Sequence, residues 1–161
     1  MTIKLIVTGG TIDKIYNESN GKLTFSDTHI NEMLDQARCE VPVSIKNLML
    51  IDSLDMVDKD RQVILNECKN SKESKIVITH GTDSMVETAK ILGDHIQDKS
   101  IVLLGAMIPF SLKESDALFN LGCAIIAVQC LQSNVYIIMN GKIFTWDNVN
   151  KNKAKGIFKN I

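Results

Sequence analysis

Little in this sequence points outward. Its 18 lysines and arginines are offset by 19 aspartates and glutamates, for a formal net charge of −1. No strong field would therefore gather nucleic acid or an anionic membrane. Long apolar runs are missing as well. The opening stretch Met1-Thr2-Ile3-Lys4-Leu5-Ile6-Val7-Thr8-Gly9 is too short for a signal-peptide core and leads to no small-residue cleavage site. No other stretch approaches the roughly 20 apolar residues of a membrane helix, so a cytoplasmic protein is expected. Cysteine pairs are lacking too. Cys39, Cys68, Cys123 and Cys130 form no Cys-x-x-Cys, and His29, His80 and His95 do not supply the paired spacing of a zinc site. Reduced, packed thiols and no metal are the expectation, with Cys123 and Cys130, seven apart, on one buried helix face. No repeat, low-complexity segment or linker interrupts the 161 residues, which predicts one domain over residues 1–161.

What is present is an alternation of strand and helix signals. Ile3–Thr8, Val43–Ile51, Lys75–Thr79, Ser100–Leu104 and Val135–Met139 read as strands. Thr28–Arg38, a segment starting at Asp58 with Arg61 at a capping-box-like offset, Ser84–Gln97 and Ser115–Leu131 read as helices. Met85, Ala89 and Leu92 form an apolar stripe on the third helix. Gly9 to about Ser26 reads as a long polar loop, of a length that is often functional. Asn140-Gly141 signals a hairpin returning antiparallel over Lys142–Thr145. The alternation implies an α/β fold, a mostly parallel sheet covered on both faces.

Two strings stand at predicted strand ends: Thr8-Gly9-Gly10-Thr11-Ile12-Asp13 and Thr79-His80-Gly81-Thr82-Asp83-Ser84. The carboxyl ends of strands in an open α/β sheet are where ligands bind. Two hydroxyls, glycine-exposed amides and an acid there suit covalent chemistry on a small polar substrate. The first string alone is equally a tight turn, and it lacks the spacing of either phosphate-binding glycine motif. In the second, Thr82 or Asp83 is a natural N-cap for the next helix, and His80 reads as a packed, hydrogen-bonded residue. Asp52-Ser53-Leu54-Asp55 follows the second strand and reads evenly as substrate-holding or as an Asx-type turn. The tail Lys151-Asn152-Lys153-Ala154-Lys155 would ordinarily be solvated, although a desolvated lysine can shuttle protons. Spacing does not say which lysine, if any, enters a pocket.

Taken together, these strings resemble the bacterial-type L-asparaginase family. Thr8-Gly9-Gly10-Thr11-Ile12 is similar to its first threonine motif, and Val77-Ile78-Thr79-His80-Gly81-Thr82-Asp83-Ser84-Met85 to its second. Ser53-Leu54-Asp55-Met56, Gly105-Ala106-Met107-Ile108-Pro109 and Phe119-Asn120 support the match, which runs from about residue 3 to about 151. The resemblance implies a three-layer α/β/α domain with a Rossmann- or flavodoxin-like sheet. It implies Thr11 as the nucleophile, Thr82 as the second active-site threonine, and Lys151 as the lysine working with Thr82. Asp83 would bind the substrate α-amino group, and Ser53 the α-carboxylate, with Gly10 and Asp52 also against the substrate. Tyr16 would activate the nucleophile from a flexible first loop.

The implied activity is hydrolysis of L-asparagine to L-aspartate and ammonia through a β-aspartyl-enzyme, without cofactor. Splitting amide hydrolysis into acylation and deacylation eases attack on a poor electrophile. Amides near Gly10 and Gly81 would stabilise the oxyanion, an effect worth roughly 3–4 kcal/mol per donor in other hydrolases. Longer members carry a smaller C-terminal domain that lends an acid to a neighbouring subunit. Here that domain is expected to be absent, as in the short single-domain form. Leu54 stands where longer members tend to have a substrate-touching glutamine. A homo-oligomer, dimer or tetramer, is expected, with the small-molecule substrate as the other partner. The alternatives are a non-catalytic aspartate- or asparagine-binding module, and an amidase for glutamine or another amide.

Overall fold

The computed structural model describes residues 1–161. In chain order, β1 (Ile3–Gly9) is followed by a 3-10 turn (Thr11–Asp13) and the hairpin β2 (Lys14–Asn17) and β3 (Lys22–Phe25). Then come α1 (Ile30–Gln36), β4 (Val43–Ile51), α2 (Asp58–Asn70), β5 (Lys75–Thr79), α3 (Met85–His95), β6 (Ser100–Leu104) and α4 (Ala117–Cys130). The chain closes with β7 (Asn134–Met139), β8 (Lys142–Thr145), β9 (Asn150–Asn152) and β10 (Ile157–Lys159).

The main sheet runs β4-β1-β5-β6-β7-β8. Its first five strands pair parallel, and β8 folds back antiparallel on β7 through the Asn140-Gly141 turn. Counting only the parallel strands, the order is 2-1-3-4-5, the flavodoxin-like arrangement. Successive strand residues point to opposite faces, and here both faces are buried. Ile6, Ile76, Ile78, Ile101 and Leu103 pack with Ile64 and Leu65 of α2 and with Met85, Ala89 and Leu92 of α3. Leu5, Val7, Val77, Val102 and Leu104 pack with Ile30 and Met33 of α1 and with Leu121 and Ala124 of α4. This is why the strands read as continuous β-branched runs, and it makes the predicted three-layer sandwich.

Five local expectations change. The long polar loop contains the β2–β3 hairpin, in which Ile15 pairs Thr24 and Tyr16 pairs Leu23. Its turn is closed by Gly21 at φ +68° donating to Asn17 O. Tyr16 therefore stands on a strand. The α1 helix is shorter than Thr28–Arg38 because Thr28 Oγ1 already accepts from Ile30 N, and Arg38 takes a left-handed φ of +51°. At the start of α2, Asp60 rather than Arg61 receives the Val57 amide, while Arg61 is drawn inward to Met56 O and to Glu87. The lysine-rich tail is a β9–β10 hairpin rather than a solvated end. The thiols are all unpaired, as expected, but only Cys68 is buried. Burial there pushes its thiol up to about 12. Cys130 is instead exposed at the end of α4, while Cys123 is half-buried against the core beneath that helix.

Candidate active site

The chain passes from β1 to β4 on one side, then returns to β5 on the other. The carboxyl ends of β1 and β5 therefore flank the topological switch point, the crevice where such sheets bind ligands. Val7 and Thr79 are register partners, so the loops that follow leave side by side. Thr8 Oγ1 donates to Thr79 O at 2.6 Å and ties the two ends together. Gly10 has φ +82°, and its amide donates to Ile51 O at 3.0 Å. A Cβ on Gly10 would collide with the backbone of Gly81. The two glycine strings thus cross in backbone contact, and only glycine fits there. Because Gly10 N–H is engaged by Ile51, it is not available to a substrate oxyanion. The Thr82 amide makes no hydrogen bond within the chain.

Thr11 opens the 3-10 turn, half-buried. The turn is pinned by Asp13, a fully buried acid whose Oδ1 accepts from Thr28 Oγ1 and from His29 N, each at 2.9 Å. Desolvation raises its pKa, and Oδ2 has no partner. Sequence reasoning assigned Asp13 nothing. Its adjacency to Thr11 was the available signal.

On the second loop, His80 is completely buried. Its ring lies 2.7 Å from Gly81 O through Nδ1 and 2.8 Å from Thr88 Oγ1 through Nε2. A carbonyl can only accept, so Nδ1 carries the hydrogen and Nε2 accepts from Thr88. Burial lowers its pKa to about 4. This is the packed histidine expected from the sequence. Neither Thr82 nor Asp83 caps α3. Ser84 holds the N-cap position, and its hydroxyl donates to Ser53 O at 2.7 Å.

Thr82 and Asp83 turn instead toward Lys151. Lys151 Nζ donates to Thr82 Oγ1 and to Asp83 Oδ1, both at 2.7 Å, with only 7% of the lysine side chain exposed. Ser53 is buried beneath them and accepts from Asp83 N at 3.2 Å. Met107 Sδ is 3.8 Å from Thr82 Oγ1 on its other side.

The structure thus brings Ser53, Thr82, Asp83 and Lys151 together, and sets the Thr11 turn beside them through Gly10 and Gly81. It does not bond Tyr16 to Thr11. The Tyr16 side chain is 57% exposed, and its hydroxyl lies toward the hairpin turn at Gly21. Asp52 follows its turn reading. Oδ1 accepts from Leu54 N at 3.0 Å, and Oδ2 pairs with Lys14. Partial burial pushes this carboxyl up, but the hydrogen bonds from Lys14 and Leu54 outweigh that and hold it below its usual range.

Two cavities of nearly equal volume lie elsewhere, one of about 570 Å³ lined by His29, Glu32, Phe110 and Glu114, and one of about 590 Å³ against α4. The latter's lining of Leu118, Phe119, Gly122, Cys123, Ile126 and neighbours carries no acid or base. No three His, Cys, Asp or Glu side chains converge as a metal site, and no helix is long and apolar enough to cross a membrane.

Residues 2–158 match the family model described as asparaginase, N-terminal. The chain is 31% identical over 169 residues to a probable periplasmic L-asparaginase of Haemophilus influenzae, covering 96% of this chain and 47% of that protein. It is 29% identical over 163 residues to a glutaminase-asparaginase of Acinetobacter glutaminasificans, covering 92% and 49%. The solved thermostable L-asparaginase of Thermococcus kodakarensis matches with a TM-score of 0.88 at 27% identity, over 100% of this chain and 51% of that one. The chain spans about half the length of these relatives. With both glycine-threonine strings set at the switch point and the match running through Lys151, the chain belongs to the asparaginase family, of which it presents the N-terminal domain.

Proposed function

We propose that this protein hydrolyses the side-chain amide of L-asparagine to L-aspartate and ammonia. The observation that carries the reading is the Lys151 ammonium bridging Thr82 Oγ1 and Asp83 Oδ1 at 2.7 Å beside the Thr11 turn. In this reading the substrate α-ammonium sits on the free Oδ2 of Asp83. The Ser53 hydroxyl, whose oxygen already accepts from Asp83 N, donates its hydrogen to the α-carboxylate. Thr11 Oγ attacks the amide carbon, forming the C–O bond, and its proton passes to the Tyr16 hydroxyl oxygen as that hydroxyl gives its own hydrogen to the amide nitrogen, with the β2–β3 hairpin lying over the substrate. The unengaged Thr82 amide faces the developing oxyanion, a kind of contact worth about 3 kcal/mol in other hydrolases. As the C–N bond breaks, ammonia leaves with that hydrogen, while the Lys151 ammonium holds the Thr82 hydroxyl in place along the observed hydrogen bond. Water then cleaves the β-aspartyl ester and restores Thr11.

All of these groups lie within residues 11–151. The test is ammonia release from L-asparagine by wild type, Thr11→Ala and Lys151→Met. Turnover in wild type and at least a hundredfold loss in both variants is expected. Full activity in Thr11→Ala would remove the nucleophile assignment. A second reading, an amidase acting on glutamine, is favoured by the glutaminase-asparaginase relative, and L-glutamine measured in parallel decides between them. If asparagine or aspartate raises the melting temperature with no ammonia released, the protein is a binding module.

We also propose that the protein self-associates through α4. Phe119 and Ile126, 60% and 63% exposed, flank Gly122, which has open space where a Cβ would stand. An uncharged ridge beside an uncharged hollow suits a second copy of the same face. The unpaired thiols suit a reducing, cytoplasmic compartment.

A further inference from the structure

Lys151 reaches the site from a place with little to hold it. The strands β9 and β10 form a two-stranded sheet apart from the main one. Such a ribbon is only marginally stable by itself. Among the apolar residues of 150–161, Phe158 alone is buried. It is the direct cross-strand partner of Lys151, and directly opposed residues of an antiparallel pair share a face. Phe158 packs in the core with Val149 and Phe144 of β8, its ring centroid 6.4 Å from that of Phe144. The stem of Lys151 therefore runs out from beside the apolar side chain that anchors its hairpin in the core. The hairpin turn has a second contact with the site. Gly156, at φ +63°, leaves room for Met107, whose Cε lies 3.1 Å from where a Cβ would stand. Met107 Sδ in turn lies against Thr82 Oγ1.

We propose that Phe158 is a positioning residue: by stapling the β9–β10 hairpin to Phe144, it fixes Lys151 Nζ between Thr82 and Asp83. The consequence for turnover rests on the amidohydrolase reading, but the placement of the lysine does not. A four-carbon lysine stem has many rotamers. Without a fixed root, a 2.7 Å contact to two acceptors at once would be one arrangement among several.

The experiment measures the acetylation rate of individual lysines by mass spectrometry in wild type, Phe158→Ala and Phe158→Leu. Lys151 is expected to react at least fivefold faster in Phe158→Ala and within twofold of wild type in Phe158→Leu. Lys99, held far away by Ser71 O and Glu73 O, is expected to be unchanged in both. Ile157→Pro, at an exposed position of β10, loosens the strand pairing without removing a core side chain. It is expected to expose Lys151 equally if Phe158→Ala does not fold. Unchanged Lys151 reactivity in both Phe158→Ala and Ile157→Pro, or a parallel rise at Lys99, would overturn the proposal.

Turnover supplies a second arm. Phe158→Ala is expected to lower kcat at least tenfold in the wild-type background and to cause no further loss in Lys151→Met. A purely structural role would multiply the two losses, and that result too would overturn the proposal. If wild type releases no ammonia, the amidohydrolase reading fails, while the acetylation pattern still decides the positioning role.

Discussion

Mild acid should loosen this fold through one residue, His80. Its ring has no exposed surface, and it joins Gly81 O to Thr88 Oγ1 in the neutral form. Desolvation is the main cause of its low pKa, opposed by the Gly81 hydrogen bond and assisted by the nearby charge of Arg61, and leaves it at about 4 against an ordinary 6.5. The unfolded chain takes up a proton below pH 6.5 that the folded chain refuses until about pH 4. The contribution is therefore fully present above 6.5 and is lost as pH falls toward 4. The slope approaches about 1.4 kcal/mol per pH unit and the total is about 3 kcal/mol. Against the roughly 5–15 kcal/mol that folds a typical domain, this is readily measured.

Asp13 has the opposite sign, because burial raises its pKa and acid favours its folded form. Asp52 and Glu73 are lowered, so their contributions fade only below the ordinary carboxylate range. A difference between variants isolates the histidine. Urea unfolding followed by circular dichroism, from about pH 7 to about pH 4, is expected to show wild type losing about 2–3 kcal/mol more than His80→Gln. Curves that stay parallel within about 0.5 kcal/mol would refute the argument.

Other changes test other parts of the site. Gly10→Ala puts a Cβ into the Gly81 backbone at a φ of +82°, and should cost at least about 2 kcal/mol in a thermal melt and abolish turnover. Lys14→Met removes the cation beside Asp52. The Asp52 carboxyl should then titrate at higher pH, read by carbon-detected NMR. Ile126→Lys places a charge on the outer face of α4 and should lower the mass seen by light scattering, while leaving the unfolding free energy of the dilute protein in urea unchanged to within about 0.5 kcal/mol.

The layers were legible because their cause is local. Ile6 faces one core, and Leu5 and Val7 the other. A strand buried on both sides must be apolar at every position, which is the signal the sequence carries. The β2–β3 hairpin was not legible for the converse reason. Its residues are largely exposed or half-buried, so Lys14–Asn17 and Lys22–Phe25 lack an apolar face, and the polar residues between them read as loop. Cys123 and Cys130 misled because α4 is apolar nearly all round. An unbroken run of that kind hides which side faces the sheet.

The two halves of the site differ in the same way. Thr11 and Thr82 lie 71 positions apart, yet each closes a strand that the α/β alternation makes parallel, and Val7 and Thr79 lie in register. Once those strands are neighbours, the glycine strings must meet, so this half follows from pattern alone. Lys151 has no such guarantee. Lys-Asn-Lys-Ala-Lys has the composition of a solvated end, and nothing within it distinguishes Lys151 from Lys153 or Lys155. The distinction comes from Phe158, seven residues on. Pairing across the Lys153–Gly156 turn sets that ring opposite Lys151 and no other lysine. The informative residue for the site's only lysine is thus an aromatic outside the motif. A tail with one buried aromatic among polar residues is better read as a hairpin, with the aromatic's cross-strand partner as the first candidate to enter the protein.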